Sequence, residues 1–399
     1  MPNDTPLPLI RLKPRRPERY GHPWVYDNEV AAVPDADLED GSLVEIFDHN
    51  GKSLGTGYFN TKSKIIARLL NADSSEKIDL EFWRRKLRAA LEFRQRVHQP
   101  LPPMYRLVHG EADGIPGLII DRYDKWLIVQ ILTLGIERQR QNLLRAIWEV
   151  FQPSGVYERS DSPARGLEGM EPTSGLLRGE PAPSPLIIED QGARVFVDLT
   201  GGAKTGLFLD QRDNQIAAAR LARGRTVFNC FSYTGLFGLR AALAGAKSVT
   251  DVEISAEFNR TNEAQWDGND IRRCAHDVVT ANAFDLLRAK EQEHAAYGLV
   301  ILDPPAFTKS RGQREGAFRG YNEINRRAIK ILEPGGVLVT CSCSHHVSLE
   351  EFREILRLAA KDAGRSLRLV EQRGQPADHP VLLSAPESEY LKCLIYVAQ

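Results

Sequence analysis

Two thiols and two imidazoles stand within one run, Cys341-Ser342-Cys343-Ser344-His345-His346, directly after the apolar stretch Gly336 to Thr340. A cysteine placed where a buried strand ends can act as a nucleophile once ionised. Cys343 is the expected nucleophile. Its plain alternatives are a small buried residue and a metal site shared with Cys341, His345 and His346. The usual paired Cys-x-x-Cys spacing is missing and no second ligand-bearing loop is evident, so no metal is expected. Cys230, Cys274 and Cys393 are expected to be structural. Earlier in the chain, Ile301-Leu302 runs into Asp303-Pro304-Pro305-Ala306-Phe307. Two successive prolines remove two backbone donors and stiffen the exit from the strand, holding Asp303 over whatever binds there, with Phe307 able to pack on a flat base.

Three further turns have the same character. Asn229-Cys230 leads through Phe231-Ser232-Tyr233-Thr234-Gly235 into a helix, and a glycine there lets a ligand approach the backbone beside free helix N–H groups, or simply makes the turn. Asp251-Val252-Glu253 ends a strand in a carboxylate suited to a ribose diol, with Glu253 at the tip, Asp251 as the fallback and a helix cap as the alternative. Asn282-Ala283-Phe284 offers an amide for the edge of an adenine and a ring beside it, or an ordinary Asx turn. Taken in order, the four turns resemble those of class I S-adenosylmethionine-dependent methyltransferases. Nitrogen methylation on that scaffold needs only positioning. C5 of a pyrimidine needs more: a thiolate must first add to C6, and Cys343 supplies one.

These turns require a parallel sheet to carry them. TVFNCFS, SVTDVEIS, GLVILDPP and GVLVTCSCS are near-continuous apolar runs separated by helical segments, which reads as an α/β domain with a Rossmann-like sheet covered on both faces, over residues 186–399. The apolar run Leu391 to Val397 is either an inner strand or part of an interface, which leaves a homodimer open. Upstream, LVEIFDHNGKSLGTGYF alternates around Asn50-Gly51, a hairpin signal, and a small β-rich domain is expected over 1–74. Residues 75–185 read as a small α+β middle domain. Its first helix, within Ser75 to Gln99, carries Leu80, Trp83, Leu87, Ala90 and Leu91 on one side and many arginines around them, fitting either a solvated connecting helix or a phosphate contact. The strand-like runs GIPGLIIDRY and KWLIVQIL meet at Asp124-Lys125 and lead into IERQRQNLLRAIWEVF. Ser162 to Pro185 has no period and reads as loop.

At this resolution the chain resembles, over essentially its whole length, the large-subunit (23S) ribosomal RNA cytosine-5 methyltransferases of the methyltransferase I type. The matching stretches are His22-Pro23-Trp24-Val25-Tyr26, Arg159-Ser160-Asp161, Lys204-Thr205-Gly206, Leu209-Asp210-Gln211-Arg212, Asn229 to Gly235, Asp303 to Phe307, Ser342-Cys343-Ser344 and Ala377-Asp378-His379-Pro380. The resemblance implies an N-terminal PUA domain, S-adenosylmethionine as cofactor, and 23S ribosomal RNA or a large-subunit precursor as partner. It further implies that Cys343 attacks C6 while Asp303 holds the N3/N4 edge of the cytosine. On the same footing Lys204, Asp210, Arg212, Phe231 to Gly235, Glu253, Asn282, Ala283 and Asp303 line the cofactor, and Pro304, Pro305, Phe307, Arg319 and Tyr321 meet the RNA. A related RNA family carries a second cysteine in its Pro-Pro segment to release the product. Here that position is Ala306, so a water, Cys341 or a nearby histidine is left for that task. A guanine N-methyltransferase of the same fold, for which Cys343 would be incidental, is the runner-up.

Composition agrees with a globular protein: 42% hydrophobic and 26% charged residues argue against a disordered or membrane-spanning chain. No apolar window is long enough to span a bilayer and the N-terminus lacks a secretory pattern, so the expected location is the cytoplasm. A net charge of −1 averages 52 basic against 53 acidic residues and leaves local patches open. One such patch follows the Asp-Pro-Pro turn: Lys309, Arg311, Arg314, Arg319, Arg326, Arg327 and Lys330, with Arg319-Gly320-Tyr321 offering faces for stacking on an unpaired base.

Overall fold

The computed structural model describes residues 6–32, 38–202, 205–308, 312 and 314–399. The chain forms two compact units. One comprises Met1–Leu186, Val197–Leu209 and Ala377–Ser388, the other Ile187–Phe196, Asp210–Pro376 and Glu389–Gln399.

The first unit opens with a six-stranded sheet of β1 (Leu9–Leu12), β2 (Trp24–Tyr26), β3 (Val30–Ala32), β4 (Leu43–Phe47), β5 (Ser53–Phe59) and β6 (Ile65–Asn71), in the order β2-β6-β5-β4-β1-β3. The hairpin expected at Asn50-Gly51 joins β4 to β5. The Asp48 carboxylate accepts from the backbone N–H of Asn50 and Lys52 at 2.9 and 2.8 Å, and Gly51 takes the left-handed φ of +81° that closes the turn. Ile10, Leu12, Val44, Ile46 and Phe59 form the buried side of this sheet.

A second sheet holds β7 (Met104–His109), β8 (Leu118–Tyr123), β9 (Trp126–Ile131), β10 (Gly155–Ser160) and β11 (Thr173–Gly179), in the order β11-β10-β9-β8-β7. Helices α1 (Leu80–Val97), α2 (Leu134–Arg138), α3 (Arg140–Phe151) and α4 (Ala164–Leu167) accompany it. Asp79 caps α1 by accepting from the N–H of Glu81 and Phe82, and Phe82, Trp83, Leu87 and Ala90 bury its apolar side in the core with Leu143 and Ile147 of α3. Of the segment expected to be loop, Thr173–Gly179 pairs antiparallel with β10. As an edge strand exposed over most of its length, it needs no hydrophobic alternation and gives no period to read. The arginines of α1 are largely spent on neighbours: Arg84 on Glu149 and Glu81, Arg85 on Glu76, Arg88 on Glu81, and buried Arg94 on Asp113. That favours the connecting-helix reading over the phosphate contact.

A two-stranded hairpin, β12 (Leu186–Asp190) and β13 (Ala193–Val197), comes next. The second unit is built on a seven-stranded sheet in the order β16-β15-β14-β17-β18-β20-β19, from β14 (Thr226–Cys230), β15 (Ser248–Glu253), β16 (Ala275–Thr280), β17 (Tyr297–Leu302), β18 (Leu332–Ser342), β19 (Leu367–Arg373) and β20 (Lys392–Ala398). The first five are parallel, and β20 runs antiparallel between β18 and β19. Its helices are α5 (Arg212–Ala219), α6 (Leu236–Leu243), α7 (Ala256–Gly268), α8 (Ala283–Gln292), α9 (Arg314–Lys330) and α10 (Leu349–Ala363). Both faces of the sheet are covered. Phe228, Val300, Leu302 and Leu338 sit in one core, and Val227, Leu299, Ile301, Val337 and Val339 in the other, which is why these strands read as continuous apolar runs. The run Leu391 to Val397 is an inner strand, so it gives no support to a homodimer.

Candidate active site at the carboxyl ends of the sheet

Strand order brings the turns together. β14 lies between β15 and β17 at the point where the strand order reverses, and ligands of open α/β sheets bind at such a point. The turn after β14 is strained in a regular way: Phe231, Tyr233 and Gly235 take left-handed φ values of +60°, +51° and +78°. Two non-glycine residues in that region are costly to hold and cluster at ligand sites. At Gly235 a Cβ would lie 2.0 Å from Oδ1 of Asn262, so no side chain fits. The hydroxyls of Ser232 and Thr234 are buried and find no partner among the described residues. Buried hydroxyls are normally paired, so these two fit a polar ligand seated on the turn.

Glu253 stands at the end of β15 and its carboxylate accepts from the N–H of Tyr233 at 3.1 Å and of Ser255 at 3.0 Å. Asp251 is fully buried and is spent on Asn229 Nδ2, Asn262 Nδ2 and His276 Nε2 at 2.7, 3.0 and 2.9 Å. The fallback is thereby removed. Asn282 caps α8 by accepting from the N–H of Phe284 at 2.9 Å, which realises the Asx turn and leaves its amide nitrogen for a ligand. Phe231, Phe284, Phe307 and Tyr321 form a continuous row of rings with successive centroids 6.3, 5.7 and 4.6 Å apart. Phe307 is half-buried against this row.

Parallel pairing of Leu302 with Thr340 sets the exits of β17 and β18 side by side. Cys343 leaves β18 there, its Sγ 3.9 Å from the carbonyl oxygen of Pro304. Of the five cysteines it alone is partly exposed, the others being buried. Cys341 is fully buried beside Cys393, with Gln211 and Asp303 also acting on it, and the hydrogen bond to the Cys393 thiol and burial push its own thiol well above the ordinary range. It is therefore no candidate for taking up the C5 proton. Pro304 is buried and Pro305 exposed.

Tyr321 departs from expectation. It is fully buried, and its hydroxyl bridges Ser344 Oγ at 2.9 Å and Ser342 Oγ at 3.0 Å, so it presents no face to a base. It instead fixes the two serines that flank Cys343. The basic stretch after Asp303 is also less available than its composition suggested, because Arg326, Arg327 and Lys330 share Glu291 and Arg314 pairs with Glu351. Arg319 is exposed on α9. Lys204, Lys309 and Arg311 lie outside the described residues.

Gln211 carries a contact that spacing gave no reason to expect. Arg373 Nε donates to Asn214 Oδ1 at 3.0 Å, so Asn214 Nδ2 donates to Gln211 Oε1 at 2.7 Å and Gln211 Nε2 must donate to Asp303 Oδ1, also at 2.7 Å. One fixed donor orients both amides. Asp210, next to it, accepts from the Tyr390 hydroxyl at 2.7 Å, and Arg212 lies on Asp213 at 2.9 Å.

The PUA-like domain family matches residues 10–72, and the S-adenosylmethionine-dependent methyltransferase family matches residues 105–396. Ribosomal RNA large subunit methyltransferase I of Shewanella denitrificans is 39% identical over 97% of this chain and 98% of its own, and that of Citrobacter koseri 40% identical over 93% and 94%. This chain belongs to the ribosomal RNA large subunit methyltransferase I family. It is thus an S-adenosylmethionine-dependent methyltransferase with an N-terminal PUA-like domain. A solved structure of a candidate SAM-dependent methyltransferase from Streptococcus mutans shares the fold, with a TM-score of 0.84 at 22% identity over 98% of this chain and 100% of that one. Another candidate methyltransferase, complexed with SAH, superposes with a TM-score of 0.83 over the same shares of both chains, again at 22% identity. For this methyltransferase I relative, the strained glycine turn, the unpartnered hydroxyls and the Glu253 tip are the features that fit the cofactor.

Proposed function

We propose that this chain methylates C5 of a cytosine in large-subunit ribosomal RNA, with Cys343 as a transient nucleophile at C6. The observation that carries this reading is the Cys343 thiol, partly exposed and 3.9 Å from the Pro304 carbonyl at the neighbouring strand end. A nitrogen methyltransferase has no use for it. The relatives' name supplies the RNA class, and the PUA-like domain supports RNA as the partner.

In this reading Phe231 to Gly235, Glu253, Asn282, Ala283, Asp210 and Arg212 hold the cofactor, joined by Asp303 at the rim. S-adenosylmethionine supplies a methyl group activated on its sulfonium. Asp303, oriented by Gln211, binds the N3/N4 edge of the base, while Pro304, Pro305, Phe307 and Arg319 meet the flipped nucleotide. The Cys343 thiolate adds to C6, and the displaced electron pair makes C5 an enamine carbon able to take a methyl group. Loss of the C5 proton then drives out the thiolate, breaking the S–C6 bond and restoring the ring. With Cys341 buried, that proton goes to a water or to His345 or His346. We assign the reaction to the cytoplasm, where a bacterial ribosome is assembled; among the described residues no helix is long and apolar enough to cross a membrane. The three-domain division at 74 and 185 is part of the same proposal.

Incubation with ribosomal RNA containing 5-fluorocytidine and the methyl donor tests this directly, since fluorine cannot leave C5 as a cation and the adduct persists. A covalent RNA–protein species mapped to Cys343 by peptide mass spectrometry is the expected result. Undiminished RNA methylation by Cys343→Ala would refute carbon alkylation.

A further inference from the structure

Lys392 opens β20, where antiparallel pairing sets it opposite Ser342, the last residue of β18 and the one before Cys343. Its side chain turns inward and is only 8% exposed. Nζ donates to the carbonyl oxygen of Ser344 at 2.8 Å and to that of Tyr390 at 2.9 Å. Those bonds occupy two of three N–H groups and seat the ammonium against the residue that follows Cys343. Among the described residues no carboxylate lies within ion-pair distance of it, although a buried ammonium ordinarily requires a counter-charge.

We propose that Lys392 is a positioning residue whose ammonium stabilises the Cys343 thiolate, so that the nucleophile stands ionised before RNA arrives. The proposal rests on the reading of Cys343 as nucleophile and extends it. The thiol proton leaves to solvent, while Lys392 keeps its own proton throughout. Burial pushes Lys392 down to about 8, while the charges of Cys343 and then Glu389 act in the opposite sense. Lys392 is thus still mostly protonated at neutral pH, and an ionised neighbour holds it so. Tyr321 also acts on the thiol, and burial pushes its hydroxyl upward and keeps it neutral. Asp303, beside the Pro304 carbonyl that the thiol meets, and His345, two residues on, are further titratable groups of this site. The charges of Lys392 and Cys343 act on one another, and the ammonium is held at the carbonyl of the residue that follows the thiol.

The test uses the full chain without RNA or methyl donor. The rate of iodoacetamide alkylation at Cys343, read by peptide mass spectrometry, is followed against pH in the wild type, Lys392→Met and Lys392→Arg. An ordinary cysteine titrates near 8.5. The wild-type inflection is expected below that value, Lys392→Met should move it up by about one unit or more, and Lys392→Arg should keep it near the wild type. Superimposed profiles for wild type and Lys392→Met would overturn the proposal. Calorimetric binding of S-adenosylmethionine reports whether each variant is folded. Should the variants not fold, the wild type decides, and an inflection at or above about 8.5 overturns the assignment. Alkylation needs no RNA, so failure here leaves the fluorocytidine adduct untouched. A missing adduct beside a lowered Cys343 inflection would instead remove the carbon chemistry and keep the ion pair.

Discussion

Among single residues, those legible in the sequence were the ones whose chemistry is local. The placement of Asp303 before two prolines and of Cys343 after an apolar strand, at neighbouring strand ends, can be read from their neighbours alone. Gln211 and Lys392 do not, because what matters about them is a partner far along the chain: Asp303 for one, the Ser344 carbonyl for the other. Tyr321 failed in the opposite sense. Its ring and an adjacent arginine suggest stacking, but the helical period of α9 turns the ring inward and Arg319 outward. The amide chain from Arg373 through Asn214 makes Gln211 the donor that orients Asp303. Replacing Gln211 with Leu removes a hydrogen bond to a charged acceptor, worth about 1.5–3 kcal/mol. Methyl transfer should fall about 10- to 100-fold, and single-turnover transfer of labelled methyl to RNA measures it. A rate within twofold of wild type would show that Asp303 is held by other means.

Elements were legible where a period survives. The parallel strands β14, β15, β17 and β18, buried on both faces, and α1, with one apolar side, are visible in the sequence; the edge strand β11 is not. Charge on helices misleads in a related way, because the sequence counts arginines and the fold decides which remain available. On α9, Arg327 is shared between Glu291 and Glu323, whereas Arg319 is exposed. Neutralising a phosphate releases counter-ions, so a single contact is visible in the salt dependence of binding. Arg319→Ala should weaken RNA affinity and flatten the plot of log affinity against log salt by about one. Arg327→Ala should leave that slope unchanged and lower stability instead. Fluorescence anisotropy with a ribosomal RNA fragment at several salt concentrations compares the two, and equal slopes for all three proteins would remove α9 from the interface.

At the scale of the whole chain, composition and motif order disclosed the architecture but not its threading. The sequence suggests three consecutive domains with boundaries after residues 74 and 185, whereas the polypeptide passes between its two units after residues 186, 196, 209, 376 and 388. Returns of this kind leave no local trace, because period and turn chemistry describe only near neighbours. The last return matters most for stability, since Ala377–Ser388 delivers buried groups to the first unit. Asp378 accepts from the N–H of Arg106 at 3.0 Å, its carbonyl accepts from Arg94 at 2.9 Å, His379 lies against His109 with centroids 5.3 Å apart, and Glu387 meets His22 at 3.1 Å. Burial, with Arg106, His379 and Arg94 adding to it, holds His109 well below the usual imidazole range, and burial also lowers His22. Both are neutral in the folded unit, whereas unfolded imidazoles take up protons near 6.5. Above that pH neither state binds the proton and stability is full. Below it the unfolded chain binds protons that the folded one refuses, and stability falls by up to about 1.4 kcal/mol per pH unit for each histidine until the folded groups titrate. Hydrogen exchange by mass spectrometry should therefore show peptides of the first unit, β7 and α1 above all, losing protection relative to the second unit between about pH 7 and 5.5, after correction for intrinsic exchange. His109→Gln, which removes one of the two protons, should make that loss shallower, and an unchanged dependence in the variant would place the acid sensitivity elsewhere.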